Sequence, residues 1–385
     1  MKNNVIFLGC TENYGYQFSA ANTKVEFLAK GLMKLGDICA IHNGIIGNPN
    51  IKTHEIKEIS GVGTVITYSK KVGQLMSWAI NLPRLVKDLK RLHKSECKNI
   101  LILSMADYHI FLVYVALARI YGYKIVVISH EWGPTVSTTH PLRKPSVWLY
   151  SQTFGYLADG ILPISEFIIR KIKHFRKPYI KIPITADYNH NPQECVNEHG
   201  DYFLYCVYAA YSRVIFIIIE AYLKFRLHVK SGVKLILILS GNEEQRNYIC
   251  NYINKKDRDG DIIVKHKVPY KVLMDLYFNA RALVIPLDPA SQQDEARFSQ
   301  KIAEYLSSSS PIISNNVGEI KSYFTDKENI ILCDYSTDGF ADAFEWVMEH
   351  PADSKRIGIN GFSLGKKEFD YRKLSKDLHN YLIKL

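Results

Sequence analysis

Residues 297–314, RFSQKIAEYLSSSSPIIS, set two cations and a carboxylate around a serine able to open a helix. Ser299 is a good N-cap: its hydroxyl can accept from an orphan first-turn amide, and the helix that follows turns Ile302, Tyr305 and Leu306 inward. A helix N-terminus presents free N–H groups and positive potential to an anion. Arg297 stands just before that turn and Lys301 just inside it. Both oppose the helix dipole there, and an anionic ligand such as a diphosphate reverses that penalty. Glu304 lies one turn on, where a carboxylate can accept two hydrogen bonds from a ribose diol. The same spacing fits a solvated Lys301–Glu304 pair worth ~0.2–0.5 kcal/mol, and spacing alone leaves both readings open.

Fewer residues elsewhere stand out. His130 opens HEWGPTVSTTHP (130–141) directly after the apolar run KIVVIS, so it is expected at the carboxyl end of a strand, where open α/β sheets bind ligands. A neutral imidazole can donate to a sugar hydroxyl or a developing charge; a structural histidine is the alternative. DRDGD (257–261) reads as a helix-to-strand turn, since the later glutamate of a calcium loop is missing. The seven cysteines are scattered without C-x-x-C or metal-ligand spacing, which points to a reducing compartment and to neither disulfides nor zinc.

Positioning such groups takes strand ends. Apolar runs alternate with helical patterns along the whole chain, the sign of parallel βα units buried on both faces. Strands are predicted at 4–10, 37–44, 64–69, 99–105, 124–131, 160–165 and 179–184. Between them Phe18, Val25, Leu28, Ala29, Leu32 and Leu35 form one helical stripe over 18–35, and Leu82, Leu85, Val86, Leu89 and Leu92 another over 82–94. The polar stretch 185–201 reads as a linker. A second series has strands at 202–208, 234–240, 261–267, 282–287, 311–314 and 329–334, and helices at 212–228, 242–255, 270–280, 299–308, 338–349 and from about 366. The expectation is an α/β chain of two Rossmann-like doubly wound parallel-sheet domains, 1–190 and 200–365, facing a cleft.

Charge divides unevenly between the halves. Residues 1–195 hold 24 Lys and Arg against 13 Asp and Glu, while 196–385 hold 25 against 25, so the first half carries the whole excess of +11. That half is expected to face something anionic. Its basic stretches 84–94 and 170–181, interleaved with apolar residues, suit an anionic lipid surface or a plain solvated face. The N-terminus reads as a first strand rather than a signal peptide, and the longest apolar run, 214–225, is broken by Glu220 and Lys224, so no membrane span is expected.

The run RFSQKIAEYLSSSSPIISNNVGEI, with VPYKVLMDLYFNARALVIPL (268–287) before it, resembles the donor-binding half of retaining glycosyltransferases of the GT-B fold, those usually numbered family 4. The resemblance covers nearly the whole chain, most strongly 234–335. It implies that Glu304 is the second glutamate of an E-x7-E motif and holds the nucleotide ribose. Phe298 and Ser299 match the loop whose amides approach the donor sugar and its phosphate, while Arg297 and Lys301 match a subgroup that writes R-F-P-x-K-x-x-E. The first glutamate is replaced by Ala296, with Asp294 and Glu295 out of register, and the glycine of the following turn by Ser309. In YCVYAAYSRVIFIIIEAYLKF, Glu220, Ala221 and Tyr222 align with the family's E-A-[FY], which sets Arg213 at the lysine that neutralises the leaving diphosphate; Tyr208 stands where a second cation would be. By the same resemblance His130 contacts the donor sugar near its reacting carbon. TENYGYQ (11–17), with Asn13 and Gly15, is then the sugar-side loop, keeping one glycine of the usual pair. A final helix, 366–385, is expected to cross back onto the first domain.

The expected function is therefore retaining transfer of a sugar from an NDP-sugar donor to a glycan or lipid-linked acceptor in bacterial surface polysaccharide assembly. The resemblance implies a cytoplasmic enzyme, peripheral at the inner face of the membrane, with no metal and no other cofactor. A non-catalytic sugar-nucleotide-binding protein of the same fold is the alternative, because the first glutamate is missing. An oxidoreductase lacks its G-x-G-x-x-G fingerprint. Nucleic acid is not expected as a partner, since no recognised module or stacking motif is present.

Overall fold

The computed structural model describes residues 2–11, 13–16, 19–70, 73–104, 107–136, 139–189, 200–229 and 232–385, with backbone only for 74 and 75. Phe18, Met105, Cys195 and most of the expected linker lie outside these residues. The chain divides into two compact units. Unit 1 comprises Met1–Ala186, Ala296–Gln300 and Phe369–Leu385; unit 2 comprises Asp187–Glu295 and Lys301–Glu368.

Unit 1 runs β1 (Asn3–Leu8), α1 (Ala20–Lys34), β2 (Ile38–His42), β3 (Glu55–Ile59), β4 (Gly63–Thr67), α2 (Gln74–Leu92), β5 (Lys98–Ser104), α3 (Tyr108–Ile120), β6 (Lys124–Ser129), α4 (Lys144–Leu157), β7 (Gly160–Pro163) and α5 (Glu166–Ile172). Its seven-stranded sheet has the order β3-β4-β2-β1-β5-β6-β7. Every pairing is parallel except that of β3 with β4. Without β3 this is the 3-2-1-4-5-6 order of a Rossmann sheet, with its switch point between β1 and β5. The central strands are fully buried, as their unbroken Val, Ile and Leu runs require.

Three of the differences from expectation bear on the frame of the two units. β3, EIKEI, was not read as a strand: it is a half-exposed edge carrying Glu55, Lys57 and Glu58, so it lacks a buried run and its charges keep the edge unsticky. Residues 179–184 do not form a strand. They run extended beside β7, with Ile180 N–H to Ile161 O (3.2 Å) and Ile182 N–H to Pro163 O (3.0 Å), and only Tyr179 forms a bridge. Pro178 and Pro183 deprive the segment of ladder donors.

Unit 2 runs β8 (Tyr202–Tyr208), α6 (Ser212–His228), β9 (Lys234–Ser240), α7 (Glu243–Lys256), β10 (Ile262–Lys265), α8 (Tyr270–Phe278), β11 (Ala282–Ile285), α9 (Gln292–Ala296), α10 (Gln300–Ser307), β12 (Ile312–Ser314), α11 (Ile320–Tyr323), β13 (Ile331–Leu332), α12 (Thr337–Glu349) and α13 (Pro351–Phe369), followed by α14 (Tyr371–Lys384) of unit 1. The six strands pair in parallel in the order β10-β9-β8-β11-β12-β13, again the Rossmann order, with the switch point between β8 and β11. Ser309, where the resemblance places a missing glycine, holds φ +62°, the left-handed conformation a glycine adopts without strain.

The third difference is at the C-terminus, where one helix from about 366 was expected. The helical run starts instead at Pro351 and breaks at Asp370, whose ψ of 127° is extended. Ala186 donates to Phe369 O (3.1 Å) and accepts from Tyr371 N–H (3.1 Å), so strand-like pairing with a distant residue makes the break. The Asp370 carboxylate then caps α14 by accepting from Arg372 N–H at 2.8 Å. α14 packs on α1. Tyr371 stacks on Phe27 with centroids 5.2 Å apart, His379 Nδ1 meets Asp37 Oδ2 at 2.7 Å, and Gly31 leaves room for Ser375.

Candidate active site

In unit 2 the site is built on α10 and the carboxyl edge of the sheet. The apolar face of α10, Ile302, Ala303, Tyr305 and Leu306, is buried, and Tyr305 Oη accepts from Cys206 N–H of β8 at 3.1 Å. Glu304 sits on the same helix and is only 4% exposed. Lys301 is half-buried one turn earlier, yet no ion pair or hydrogen bond reaches the Glu304 carboxylate among the described residues. This removes the solvated-pair reading. Burial lifts the Glu304 carboxyl to about 7, with Lys301 pulling the other way. A buried carboxylate without donors is costly, and a ligand diol would supply two.

Arg213 is exposed in the first turn of α6, which follows β8, and Asp288 follows β11; the two flank the switch point. Tyr335, beyond β13, lies within their electrostatic reach: burial and then Asp288 push its phenol up to about 12, while Arg213 opposes them. Its hydroxyl has no hydrogen-bond partner among the described residues. The acids beside the missing first glutamate have other partners. Glu295 accepts from Gly318 N–H (2.9 Å) and from Lys321 Nζ (3.2 Å), and Asp294 accepts from Asp288 N–H (3.0 Å). The DRDGD segment is a turn, with Asp257 accepting from the amides of Gly260 (3.2 Å) and Ile262 (2.8 Å). Among the described residues no three His, Cys, Asp or Glu side chains gather as metal ligands.

Unit 1 holds the remaining sequence-predicted residues. His130 follows β6 at the carboxyl edge, as its position after KIVVIS predicts. Its Nε2 is buried without a hydrogen-bond partner among the described residues. Burial, and then the Lys24 ammonium, hold the imidazole down to about 3, so it is neutral near pH 7. Lys24 was missed. It lies on the buried stripe of α1, where burial lowers it to about 7, and its Nζ donates to Ile182 O at 2.7 Å. The only signal was a lysine at an apolar register position beside Val25. Asn13 (φ +48°) and Gly15 (φ +88°) shape a left-handed turn after β1. Asn43 holds this turn, accepting from Tyr14 N–H (2.9 Å) and donating to Tyr14 O (3.1 Å). A Cβ on Gly15 would meet open space, so its backbone conformation and not crowding favours glycine.

Arg297, Phe298 and Ser299 belong to the short segment assigned to unit 1. Ser165 Oγ donates to Ala296 O at 2.6 Å, and the Gln300 amide both donates to Thr185 O and accepts from Thr185 N–H (3.1 Å). The Phe298 ring packs edge-on against Phe369 with centroids 5.5 Å apart, so what it can offer a ligand is its backbone. Gln300, Thr185 and Ser165 were not singled out from sequence. They fix the backbone of a loop whose chemistry-bearing neighbours drew the reading.

Each unit is thus a Rossmann-type α/β architecture, with the cations and the buried carboxylate placed where such sheets take nucleotides. Residues 193–363 match the family described as glycosyl transferases group 1. The sucrose-phosphate synthase of Thermosynechococcus elongatus superposes with a TM-score of 0.75 at 14% identity, covering 100% of this chain and 99% of that one. HepE of Anabaena, solved in complex with UDP and glucose, gives 0.74 at 11% identity over 100% of both chains. An alpha,alpha-trehalose-phosphate synthase (UDP-forming) from Burkholderia vietnamiensis gives 0.69 at 11% identity, covering 100% of this chain and 99% of that one. No curated protein matches by sequence. The chain thus has the GT-B fold of these neighbours, and its residues 193–363 are similar to the glycosyl transferases group 1 family.

Proposed function

We propose that the protein is a retaining, family 4-like hexosyltransferase that binds an NDP-sugar on unit 2 and takes a glycan or lipid-linked acceptor on the basic unit 1, in bacterial surface polysaccharide assembly. The observation that carries this reading is Glu304, a buried carboxylate with no internal donor, on the helix that the resemblance assigns to the nucleotide ribose. Arg213 and Lys301 neutralise the diphosphate, His130 donates as a neutral imidazole to the sugar, and the backbone of Arg297, Phe298 and Ser299 approaches the donor. Asn13 and Gly15 shape the loop on the sugar side. The acceptor oxygen bonds to the anomeric carbon on the face from which the diphosphate departs, the sugar–phosphate C–O bond breaks, and the acceptor proton passes to the departing phosphate oxygen. No protein base and no metal is required in this scheme.

HepE was solved with UDP-glucose as well as with UDP, which makes a uridine donor the first to try. The test is a thermal-shift panel of UDP, GDP, ADP and CMP with their sugars, followed by turnover of whichever binds. One nucleotide should stabilise selectively, and Arg213→Ala should lower kcat about 10²–10³-fold with little loss of stability, since the side chain is exposed. A panel with no selective shift, or an unchanged kcat in the variant, would refute the assignment.

A further inference from the structure

Three helices of unit 1 share one layer. The strand order reverses direction at β1, so right-handed connections put α1 on one face of the sheet and α2, α3 and α4 on the other. Aromatic contacts tie the layer together: Trp78 of α2 to His109 of α3 with centroids 4.5 Å apart, Phe111 of α3 to Tyr150 of α4 at 5.0 Å, and Tyr156 of α4 to Phe175, beyond α5, at 4.9 Å. α4 is apolar on both sides. Its inner stripe, with Tyr150 and Phe154, is buried. On the opposite stripe, at helical spacing, Trp148 and Tyr156 are each 58% exposed and Leu149 is exposed as well. Leu142, in the turn before the helix, is 85% exposed, and α3 adds Leu112 and Ile120 to the exposed residues of the layer. A helix apolar all round belongs in an interior, and an aromatic and aliphatic patch left outside marks an interaction surface.

The charges around the patch select its occupant. Among the described residues of α2, α3 and α4 the only acid is Asp88, which is buried and accepts from Tyr68 Oη. Asp107 and Asp159, which flank α3 and α4, are held by Arg143 and by Arg119 (2.8 Å). Lys87, Lys90 and Lys144 are exposed on the layer, and the exposed Lys173 and Arg176 border the His174 and Phe175 rings that Tyr156 meets. Two copies joined through this face about a two-fold axis would set these cations against one another. Indole, phenol and aliphatic groups rimmed by lysine and arginine fit instead the interface of an anionic bilayer, where the rings sit at headgroup level and the cations meet phosphates. We propose that unit 1 inserts the outer face of α4, with Leu142, Trp148, Leu149 and Tyr156, into the headgroup region of an anionic membrane leaflet. Insertion differs from attraction of basic faces alone in that apolar side chains leave water. It would bring unit 1 to a lipid-linked acceptor, the acceptor class of the function proposed above, but vesicle binding needs neither nucleotide nor acceptor, so its failure leaves the donor assignment standing.

Flotation and fluorescence of the full chain with vesicles of phosphatidylcholine alone, of phosphatidylcholine with about a third phosphatidylglycerol, and of that mixture with brominated acyl chains test the insertion. The mixed vesicles should bind at least about tenfold more tightly than the neutral ones. Tryptophan emission should shift to the blue on binding and be quenched by the bromines, and Trp148→Phe should still float with the vesicles but lose most of both signals. Leu142→Asp should weaken binding at least about tenfold, and Lys144→Glu, a change of two charges near the surface, about 30-fold. Both substitutions fall at exposed positions, so melting temperatures should stay at the wild-type value. No vesicle binding, binding without a blue shift or quenching, or equal binding by a natively folded Leu142→Asp variant would each overturn the proposal. Self-association in sedimentation that Leu142→Asp abolishes, without vesicle binding, would also overturn it and give the face to a second copy of the chain.

Discussion

Replacing Glu304 by glutamine separates the cost of its burial from its use. The carboxyl stands near 7 in the folded protein against 4.5 as its ordinary value. At ~1.4 kcal/mol per pH unit, ionising it in the fold costs about 3 kcal/mol. Below pH 4.5 the group is protonated in both states and the cost is absent. Between pH 4.5 and 7 the folded protein holds a proton that the unfolded chain has released, so stability falls as pH rises, and the whole penalty is present by pH 8. Glutamine does not ionise but buries an amide NH2 group, a loss of about 1 kcal/mol. Glu304→Gln should therefore be about 1 kcal/mol less stable than the wild type at pH 4 and about 2 kcal/mol more stable at pH 8, the latter worth ~4–8 °C in Tm. Calorimetric melts of both proteins across that range measure the difference, in which all other titrating groups cancel. The same substitution removes an acceptor for the ribose diol, so kcat/KM should fall while Tm rises. A difference in Tm that does not change with pH would show that the carboxylate is solvated or paired, and the account of the ribose site would fail with it.

Other expectations concern unit 1. Lys24, depressed to about 7, has a burial penalty that is complete below pH 7 and fades toward pH 10.5, so Lys24→Met should gain stability at pH 6 and lose that gain by about pH 10; paired melts at the two pH values check this. Gly31→Ala would place its Cβ 2.3 Å from Ser375 Cβ and should destabilise the protein by about 1–3 kcal/mol in urea titrations. Ser375→Gly should restore the loss and Ser375→Ala should not, because the clash includes Cβ itself. We also propose that the basic faces around Lys90 and Arg91 and around Arg170 and Lys171 dock on anionic lipid. These four side chains are exposed, and flotation with anionic vesicles should fall steeply between 50 and 300 mM salt, roughly as screening shortens. Binding that ignores salt, or no binding, would end that idea.

Legibility followed the range of the interaction that fixes each element. The strand Tyr202–Tyr208 and helix Ser212–His228 fall where the apolar run and its flanking turns place them, since local pattern and tertiary burial agree there. The break at Asp370 was hidden, because it depends on Ala186, far away in sequence. Lys24 looked like a surface lysine until the carbonyl of Ile182 gave it a buried partner. In the site, residue types pointed to Glu304 and Lys301 but not to the absence of a bond between them. Gln300 was invisible as the anchor of its loop, because a glutamine that grips a distant backbone leaves no periodic trace.

The return of the last helix to α1 bears on how the molecule is made. Asp37, Leu28 and Phe27 await partners some 340 residues downstream, as His379 Nδ1 does for Asp37 Oδ2, so the layer over α1 stays open while the ribosome translates everything between. At ~5–20 residues per second that exposure lasts tens of seconds, long enough for a nascent apolar face to recruit a chaperone.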